Sequence, residues 1–531
     1  MKRLNARKKK WIERTVSNNR SYKLYLYNRF FIFLILVLLQ IVAYVFAIYL
    51  IVYDSPLAVV LQTLMFALEL AMLLYLINKS ERAASKLNWI LLILIVPVVG
   101  VPGYLLYGEG KPTRRMQKKI ARARAEIKAE RETAGVKEFP ETEGQTRAEG
   151  LERFLAYKAG YPAYTGGGVI YYESGEKVFP EILAELEKAE KYVLLDYFII
   201  AHGKMWGEIL KRLLKKAEEG VQIRIIYDDF GCMMTLPPKY DRYLEGLHEN
   251  IRCMTFNNVV PIFAVRMNNR DHRKILVIDG KTAFTGGINL ADEYINEKKR
   301  FGYWKDTAVK ITGNSVCSFV EMFFCMWNAF RKDKESVNAY LPPRNGQNNG
   351  DFVIQPYDDS PLDKTSVGEV VYADIIQRAK RYLYIFTPYL ILDDFLRTEL
   401  LLAAARGVDV RIVTPGVPDK KTIYRITRAN SAVLMEAGIK IYEYTPGFLH
   451  AKSMISDDEC GVVGTINLDY RSLYFHFENA VYFTEKNAIA AMKRDAEETF
   501  AVSKLCTSEN SKRSLFGRLI DSLLRVFETL F

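Results

Sequence analysis

Three long apolar segments follow one another near the start of the chain. Residues 30–53 contain a single strongly polar side chain, and residues 57–77 contain two. Helices of this length cross a hydrocarbon core of about 30 Å, because each residue adds about 1.5 Å. Residues 89–107 are interrupted by two prolines and two glycines, which bend or break helices. The pattern predicts a membrane region over 30–110, with transmembrane helices at 30–53 and 57–77 and a bent or re-entrant apolar segment at 89–107.

A different pattern begins near residue 151, where helix-like and strand-like periods alternate. Apolar positions recurring every three or four residues predict helices, and short β-branched and aromatic runs between them predict strands. The order helix–strand–helix–strand occurs twice. The first copy comprises 179–192, 193–200, 205–220 and 221–229, and the second 371–382, 383–390, 394–407 and 408–416. This duplication predicts an α/β fold with two similar halves, residues 151–345 and 346–510, packed together as a pseudo-dimer.

Two further segments complete the predicted layout. Residues 111–150 are rich in charged residues and predict a helix that runs into a linker. Residues 511–531 place leucines and phenylalanines on one side of a helix and charged residues elsewhere. Either an ordinary packing helix or an amphipathic helix at the membrane interface has this pattern.

The positive charge of the chain is concentrated in two blocks beside the apolar segments. The whole chain carries +12; residues 1–29 contribute +9 and residues 108–128 contribute +6, which leaves −3 for the remainder. This distribution excludes a nucleic-acid-binding surface spread over a domain. Because Lys and Arg beside membrane spans favour the cytosol, we expect a basic cytosolic tail over 1–29 and cytosolic α/β halves.

The cysteine usage fits a cytosolic location. No two of the six cysteines have the spacing of a metal site, and a disulfide framework is not expected in a domain of this size. We expect reduced, mostly buried thiols at Cys232, Cys253, Cys317, Cys325, Cys460 and Cys506.

One polar motif recurs at the head of an apolar strand in both copies. A histidine and a lysine lie two residues apart, so on a strand their side chains project from the same face. An aspartate follows seven residues after each histidine. The motif residues are His272, Lys274 and Asp279 in the first copy and His450, Lys452 and Asp457 in the second. A lone histidine on an apolar strand is usually structural, but the same order in two copies favours catalysis.

Further polar residues keep the same order downstream. The turns GGIN and GTIN end in Asn289 and Asn467, and WKDTAV and HFENAV align Asp306 with Glu478. This set suits phosphoryl transfer through a covalent histidine, in which one imidazole attacks phosphorus and the other gives a proton to the leaving alkoxide. Lysine and asparagine donors would stabilise the phosphate oxygens, and a carboxylate behind each imidazole would fix its tautomer. The predicted chemistry needs no metal or other cofactor.

The sequence resembles the phospholipase D superfamily, whose signature is two H-x-K-x4-D motifs, and within it the multi-pass bacterial cardiolipin synthases. The resemblance begins near residue 57 and includes LLDYFIIAHGKMW, RIIYDDFG, RDHRKILVIDG, AFTGGINLADEYIN, EYTPGFLHAKSMISDD and VVGTINLDYRSLYFHFENAV. It implies two α-β-α sandwich halves in a protein of the bacterial cell membrane. It also implies that two phosphatidylglycerol molecules yield cardiolipin and glycerol through a phosphohistidine. The sequence departs from the family by an additional apolar segment and by Asp196, where glutamate is common.

The resemblance implies a role for each motif residue. His272 becomes the nucleophile, and His450 becomes the general acid and base. The implied phosphate ligands are Lys274, Lys452, Asn289 and Asn467, and the implied histidine-orienting groups are Asp306 and Glu478. For Asp279 and Asp457 a catalytic role and a structural hydrogen bond both stay open. No role is assigned to Glu293 and Tyr294, and a structural one is assigned to His202, His248 and His476.

Other functions share these motifs. A phospholipase D would transfer the phosphatidyl group to water and a phosphatidylserine synthase would transfer it to serine, and the motifs alone distinguish neither from a cardiolipin synthase. A nucleic-acid phosphodiesterase is disfavoured by the membrane region and by the charge outside the two basic blocks. We expect phosphatidylglycerol and cardiolipin as membrane partners and no nucleic acid.

Overall fold

The computed structural model of the chain describes residues 56–79, 83–108, 112–133, 149–258, 268–341, 351–363 and 365–507, with isolated positions within 38–49 and 521–528. Its contacts divide it into a smaller unit, residues 1–110 with 259–268, and a larger unit that holds almost all the rest. Most of the span predicted at 30–53 and of the helix predicted at 511–531 lies outside the described residues.

The smaller unit contains the predicted membrane segments. Helix α1, Pro56–Asn78, coincides with the second predicted span, and it is the one described helix that is long and apolar enough to cross a membrane. A multi-pass arrangement therefore stays a prediction.

The apolar segment at 89–107 is divided between two helices, α2 (Ala83–Ile95) and α3 (Pro97–Tyr107). Val96 separates them because its φ of −141° and ψ of 65° are not helical. Pro97 follows in the first turn of α3, where a missing N–H costs nothing. Gly100 permits a close approach, since a Cβ there would lie 2.7 Å from the Cα of Ile93. The segment is therefore sharply bent.

Helices of the larger unit begin where their sequence supplies capping groups. Ser174, Ser366 and Asp393 each accept a hydrogen bond from a backbone N–H in the first turn that follows. The α-helices are α4 (Arg114–Thr133), α5 (Glu149–Phe154), α6 (Gly175–Glu187), α7 (Lys204–Glu218), α8 (Asp229–Cys232), α9 (Tyr240–Glu245), α10 (Val316–Phe330), α11 (Val367–Arg378), α12 (Asp394–Ala405), α13 (Lys421–Glu436), α14 (Tyr470–Tyr474) and α15 (Lys486–Ala501).

The strands fall into two groups along the chain. Those before residue 313 are β1 (Tyr164–Thr165), β2 (Gly168–Tyr172), β3 (Tyr192–Tyr197), β4 (Gln222–Asp228), β5 (Ile251–Phe256), β6 (Lys274–Ile278), β7 (Thr282–Gly286), β8 (Tyr303–Lys305) and β9 (Ala308–Thr312). The later ones are β10 (Val353–Asp359), β11 (Tyr382–Phe386), β12 (Asp409–Pro415), β13 (Lys440–Tyr444), β14 (Gly447–Leu449), β15 (Ser453–Ser456), β16 (Cys460–Gly464), β17 (Glu478–Phe483) and β18 (Ser503–Leu505).

The first half is built on a sheet of order β2-β9-β7-β6-β3-β4-β5. Strand β3 is an inner strand of this sheet, parallel to β4 and antiparallel to β6, and it is buried at every position. An inner strand covered on both faces has this continuous apolar character. Val193 and Leu195 pack with α6 and α7 on one face, whereas Leu194 packs with α10 on the other.

The second half repeats this arrangement. Its sheet has the order β1-β10-β17-β16-β15-β11-β12-β13-β18, in which β11 is parallel to β12 and antiparallel to β15. The run β16-β15-β11-β12-β13 thus corresponds to β7-β6-β3-β4-β5. The predicted α/β fold and its duplication are confirmed.

The halves are joined by more than contact between their surfaces. Strand β1 of the first half pairs with β10 in the second sheet, and β8 of the first half pairs in parallel with β14 of the second. One hydrophobic core contains residues from both halves, including the almost wholly buried helix α10. This exchange of strands places the two H-x-K motifs at a common boundary.

Candidate active site

His272 lies two residues before the start of β6 and is held by residues of the second half. Its backbone N–H donates to the carbonyl of Phe477, at 2.8 Å. Its Nδ1 lies 2.9 Å from Oε1 and 2.8 Å from Oε2 of Glu478, at the start of β17. The histidine of one motif is therefore oriented by the carboxylate aligned with the other.

His450 has the reciprocal arrangement. Its backbone N–H donates to the carbonyl of Lys305, at 2.7 Å, and its Nδ1 lies 2.6 Å from Oδ2 of Asp306. Both contacts come from the end of β8 and the residue after it, in the first half. The two histidine–carboxylate pairs thus cross between the halves in opposite directions.

The carboxylates determine which nitrogen of each imidazole is available. Nδ1 donates its hydrogen to the carboxylate, so Nε2 carries the lone pair. Burial lowers the pKa of His272 to about 3 and that of His450 to about 4. Both imidazoles are therefore neutral at pH 7, and each presents a nucleophilic Nε2. Burial alone would raise the pKa of Glu478, but His272 holds it below its usual value, so that carboxylate stays charged.

The motif lysines are also buried. The Nζ of Lys274 donates to the carbonyl of His272, at 2.5 Å, and Lys452 makes the same contact with His450. Burial lowers the pKa of Lys274 to about 7 and that of Lys452 to about 8. An anionic phosphate between them would restore the advantage of the charged forms, because an opposite charge favours protonation.

The depressed lysine pKa values predict an alkaline loss of substrate capture. Both ammoniums are charged below about pH 7, and the free protein loses their charge as pH rises through 7 and 8. We expect kcat/KM for the lipid substrate to fall about tenfold or more per pH unit above about pH 8. Bound phosphate stabilises the ammoniums, so kcat should fall less. Initial rates over several substrate concentrations from pH 6 to 9 measure both parameters; a constant kcat/KM to pH 9 would show that these charges are not needed.

Each predicted asparagine has an amide that donates a hydrogen bond to a protein group. Asn289 accepts from the backbone N–H of Ile199, at 3.0 Å, and donates to the hydroxyl of Tyr294, at 2.6 Å. Asn467 donates to Oδ2 of Asp469, at 3.1 Å, and its buried Oδ1 has no hydrogen-bond partner among the described residues. A role for either amide in phosphate binding stays a prediction.

Asp279 and Asp457 lie at the far ends of their strands. Asp279 is roughly 16 Å along the chain from Lys274, since β6 advances about 3.3 Å per residue. Its carboxylate accepts from the backbone N–H groups of residues 190, 191 and 192, each at 2.8 Å. Asp457 makes the same three bonds to residues 380–382, at 2.7, 2.8 and 2.8 Å. Of the two alternatives left open by the sequence, these contacts support the structural one.

We predict that Asp457→Asn lowers stability without removing chemistry. The asparagine side chain keeps one oxygen acceptor, but its N–H₂ group faces backbone N–H donors that it cannot bind. We expect this mismatch to lower the free energy of unfolding by about 2 kcal/mol or more. The exposed neighbour Asp458, which shares the left-handed backbone conformation, provides a matched control as Asp458→Asn. Urea unfolding compares the two proteins. A hundredfold loss of kcat in folded Asp457→Asn would restore the catalytic alternative.

Comparisons with known proteins identify the family of this chain. The family described as "Cardiolipin synthase, PLD-like domain" matches twice, at residues 182–310 and 372–500. A model described as "Phospholipase_D-nuclease N-terminal" matches residues 67–109. A cardiolipin synthase of Geobacillus kaustophilus is 32% identical over 464 residues, which cover 85% of this chain and 90% of the relative. The chain belongs to the cardiolipin synthase family.

Two further relatives extend the comparison. An uncharacterised protein of Streptococcus mutans is 43% identical over 458 residues, covering 86% of this chain and 99% of its own length. The crystal structure of a phosphatidylserine synthase from Haemophilus influenzae superimposes with a TM-score of 0.56 at 15% identity, covering 72% of this chain and 97% of that one. The latter shows a shared fold.

The site of this family member includes residues that sequence reasoning left without a role. Tyr294 lies with its ring 5.5 Å from that of His450, in addition to its bond to Asn289. The ring centroid of Trp304 lies 5.3 Å from that of His450, and the ring centroid of His476 lies 5.6 Å from that of His272. Trp304 and His476 each precede the orienting carboxylate, Asp306 or Glu478, by two residues. This two-residue spacing is the sequence feature from which both residues could have been predicted to lie near the site.

The small turns GGIN and GTIN also shape the site. A Cβ at Gly287 would lie 2.0 Å from Oδ1 of Asp306, so this glycine leaves space for the carboxylate that orients His450. Thr465, at the same place in the other turn, instead donates its hydroxyl to Oε2 of Glu478. The turns therefore act differently on the two histidine–carboxylate pairs. One turn leaves room for the carboxylate of Asp306, and the other donates a hydrogen bond to that of Glu478.

Proposed function

We propose that this protein is a cardiolipin synthase that transfers a phosphatidyl group from one phosphatidylglycerol to the terminal glycerol hydroxyl of another. The products are cardiolipin and glycerol. The observation that carries this proposal is the pair of buried histidines, each with Nδ1 on a carboxylate of the other half and Nε2 free. Relatives named cardiolipin synthases cover most of the chain and add to that support.

The first step forms a covalent intermediate on His272. Nε2 attacks phosphorus, and the bond between phosphorus and the glycerol oxygen breaks. His450, protonated once the anionic phosphate has entered beside it, gives its Nε2 proton to the departing oxygen. Glu478 stabilises the positive charge that develops on the imidazole of His272. Free glycerol leaves, and a phosphatidyl group remains on His272.

In the second step His450 acts as a base instead of a proton donor. His450, now neutral, removes the proton from the hydroxyl of a second phosphatidylglycerol as that oxygen attacks phosphorus. The nitrogen–phosphorus bond breaks and His272 returns to its neutral form. One bond forms and one breaks in each step, so the transfer needs no nucleotide and consumes no high-energy group.

Charge on the phosphate oxygens would be stabilised by groups of the protein itself. Lys274 and Lys452 supply two ammoniums, and the amides of Asn289 and Asn467 supply further donors if they turn from their present partners towards the substrate. The two ammoniums together exceed the single negative charge of a phosphodiester, which favours its binding. The pH dependence of kcat/KM tests the lysine roles, and alanine substitution of the histidines tests His272 as the nucleophile.

The proposed reaction is tested with full-length protein in mixed micelles that contain phosphatidylglycerol alone and excess EDTA. We expect cardiolipin and glycerol in equal amounts. Release of phosphatidic acid without cardiolipin would indicate a phospholipase D, and cardiolipin formed only after a CDP-activated lipid is added would overturn the reaction. Loss of activity in EDTA that a divalent ion restores would contradict catalysis by protein donors alone.

We further propose a multi-pass protein of the bacterial cell membrane whose two halves, 151–345 and 346–510, lie in the cytosol. The basic tail 1–29 and the charged segment 111–150 would flank the membrane region 30–110 on that side. In this layout 30–53 and 57–77 cross the membrane and 89–107 does not, while 511–531 forms an amphipathic helix. Helix α1 and the bend at Val96 support the central part of this layout.

Thiol labelling in intact cells tests the orientation. Arg115 is exposed on α4, and Cys506 is the one cysteine that is not buried. Arg115→Cys in a Cys506→Ser background should resist a membrane-impermeant maleimide in intact cells and react after lysis. The Cys506→Ser protein alone gives the background signal. Reaction in intact cells would place the two halves outside.

A further inference from the structure

His476 is placed beside the proposed nucleophile, where nothing in the proposed reaction uses it. Its side chain is 12% exposed, and neither ring nitrogen has a hydrogen-bond partner among the described residues. Its Nδ1 lies 3.6 Å from Oε1 of Glu478, the oxygen that is also 2.9 Å from Nδ1 of His272. Two imidazoles therefore face one charged carboxylate.

The geometry matches a ligand set for a transition metal. One ligand atom from each of His272, His476 and Glu478 lies within 4.8 Å of the other two. Two imidazole nitrogens and a carboxylate oxygen suit a tetrahedral Zn²⁺ ion, whose fourth position would take water. Mg²⁺ prefers oxygen ligands in octahedral geometry and fits this set poorly. A small convergence of the two rings would bring all three atoms to bonding distance.

We propose that His272, His476 and Glu478 form a Zn²⁺ site whose occupation inhibits the enzyme. Inhibition follows from the tautomer of His272. A neutral imidazole that binds a metal through Nδ1 must carry its hydrogen on Nε2, so the lone pair that attacks phosphorus is lost. Metal binding at Nε2 would block the same atom directly. The ion also takes Glu478 away from its hydrogen bond to His272.

The other half of the protein shows why only one such site is expected. Trp304 occupies the position equivalent to His476, and its indole offers no metal ligand. His450 and Asp306 therefore lack a third donor. His202 and His248, the remaining two of the five histidines, belong to other parts of the first half. The expected stoichiometry is one ion per chain.

Metal binding can be measured without turnover. Full-length protein in detergent is stripped with EDTA, exchanged into chelator-free buffer, titrated with ZnCl₂ and separated from free ion before metal analysis. We expect one bound zinc per chain. His476→Asn, which keeps a side chain of similar size but is a poor zinc ligand, should lose it, whereas the matched surface variant His202→Asn should retain it. Equal binding by His476→Asn would overturn the site.

Inhibition is then compared within each protein, as the ratio of cardiolipin formation with and without zinc. We expect at least a tenfold loss in the unmodified protein, reversed by EDTA and not produced by MgCl₂, and at least tenfold weaker zinc sensitivity in His476→Asn. Unchanged sensitivity in that variant would refute the proposal. The inhibitory part rests on the proposed function, but binding does not: His476-dependent zinc in a protein that makes no cardiolipin would retain the site and reject the reaction.

A second measurement uses the unmodified protein, in case His476→Asn does not fold. Diethylpyrocarbonate modifies accessible imidazoles, and mass spectrometry of the peptides locates each adduct. Zinc should protect His272 and His476 together while His202 stays reactive. Protection of neither, or of His202 equally, would contradict the assignment.

Discussion

Alanine in place of either His272 or His450 is expected to reduce cardiolipin formation by about 10³-fold or more, because the two residues serve one reaction. Two independent sites would instead each leave roughly half of the activity. Both imidazoles are held by backbone and carboxylate groups of the opposite half, so neither copy contains a complete site. Initial rates with phosphatidylglycerol, normalised to folded protein, distinguish the two cases.

The two losses should differ in kind. Without His272 no phosphatidyl-enzyme forms. Without His450 the leaving glycerol lacks a proton donor and the second hydroxyl lacks a base, so a covalent lipid can accumulate on His272 if the second step suffers more. Mass spectrometry should find an acid-labile, base-stable adduct on His272 in His450→Ala. An adduct on His450 in His272→Ala would exchange the two roles.

Glu478→Gln is expected to lower kcat by about 10² to 10⁴-fold, although the residue lies in the half opposite His272. A glutamine can donate its N–H₂ group to Nδ1, which moves the imidazole hydrogen to Nε2 and removes the attacking lone pair. The change is nearly isosteric, so the fold should be retained. Comparison of kcat and of thermal stability with the unmodified protein separates lost orientation from lost folding.

The equivalent change at Asp306 provides the matched control. Asp306→Asn impairs His450 instead, so it should resemble His450→Ala and permit an adduct on His272. Glu478→Gln should show none, because the first step itself is slowed. If Glu478→Gln accumulates an adduct on His450 and Asp306→Asn shows no adduct on His272, the assignment of nucleophile and proton donor is reversed. A fall of less than about tenfold in both variants would mean that the carboxylates do not set the tautomer.

Much of the fold follows from local sequence patterns. The duplicated helix–strand order predicted the inner strands β3 and β11, whose runs YVLLDY and YLYIF are buried throughout. Their continuous apolar character is a local property. By contrast, β1 has two residues and pairs with the second sheet, which depends on a contact almost 190 residues away. No periodicity encodes such a pairing.

The site shows the same division. The two-residue spacing of His272 and Lys274, repeated at His450 and Lys452, predicted the candidate site residues because the spacing relates neighbours along the chain. The crossing of Glu478 to His272 did not follow, since Asp306 lies nearer in sequence and in the same copy. His476 was assigned a structural role because it lies outside the H-x-K motifs, and the sequence alone does not show that its ring lies beside that of His272.

The crossed pairs of histidine and carboxylate also bear on how this chain arose. An ancestor with a single copy would carry both groups, yet its histidine could meet a carboxylate only on a second, identical molecule, so activity would have required a symmetric homodimer. Duplication and fusion of such a gene would make that association permanent and independent of concentration. Fusion would also release the copies from symmetry. Tryptophan could then be fixed beside one imidazole and histidine beside the other, and a formerly equivalent pair could specialise for attack and for proton transfer.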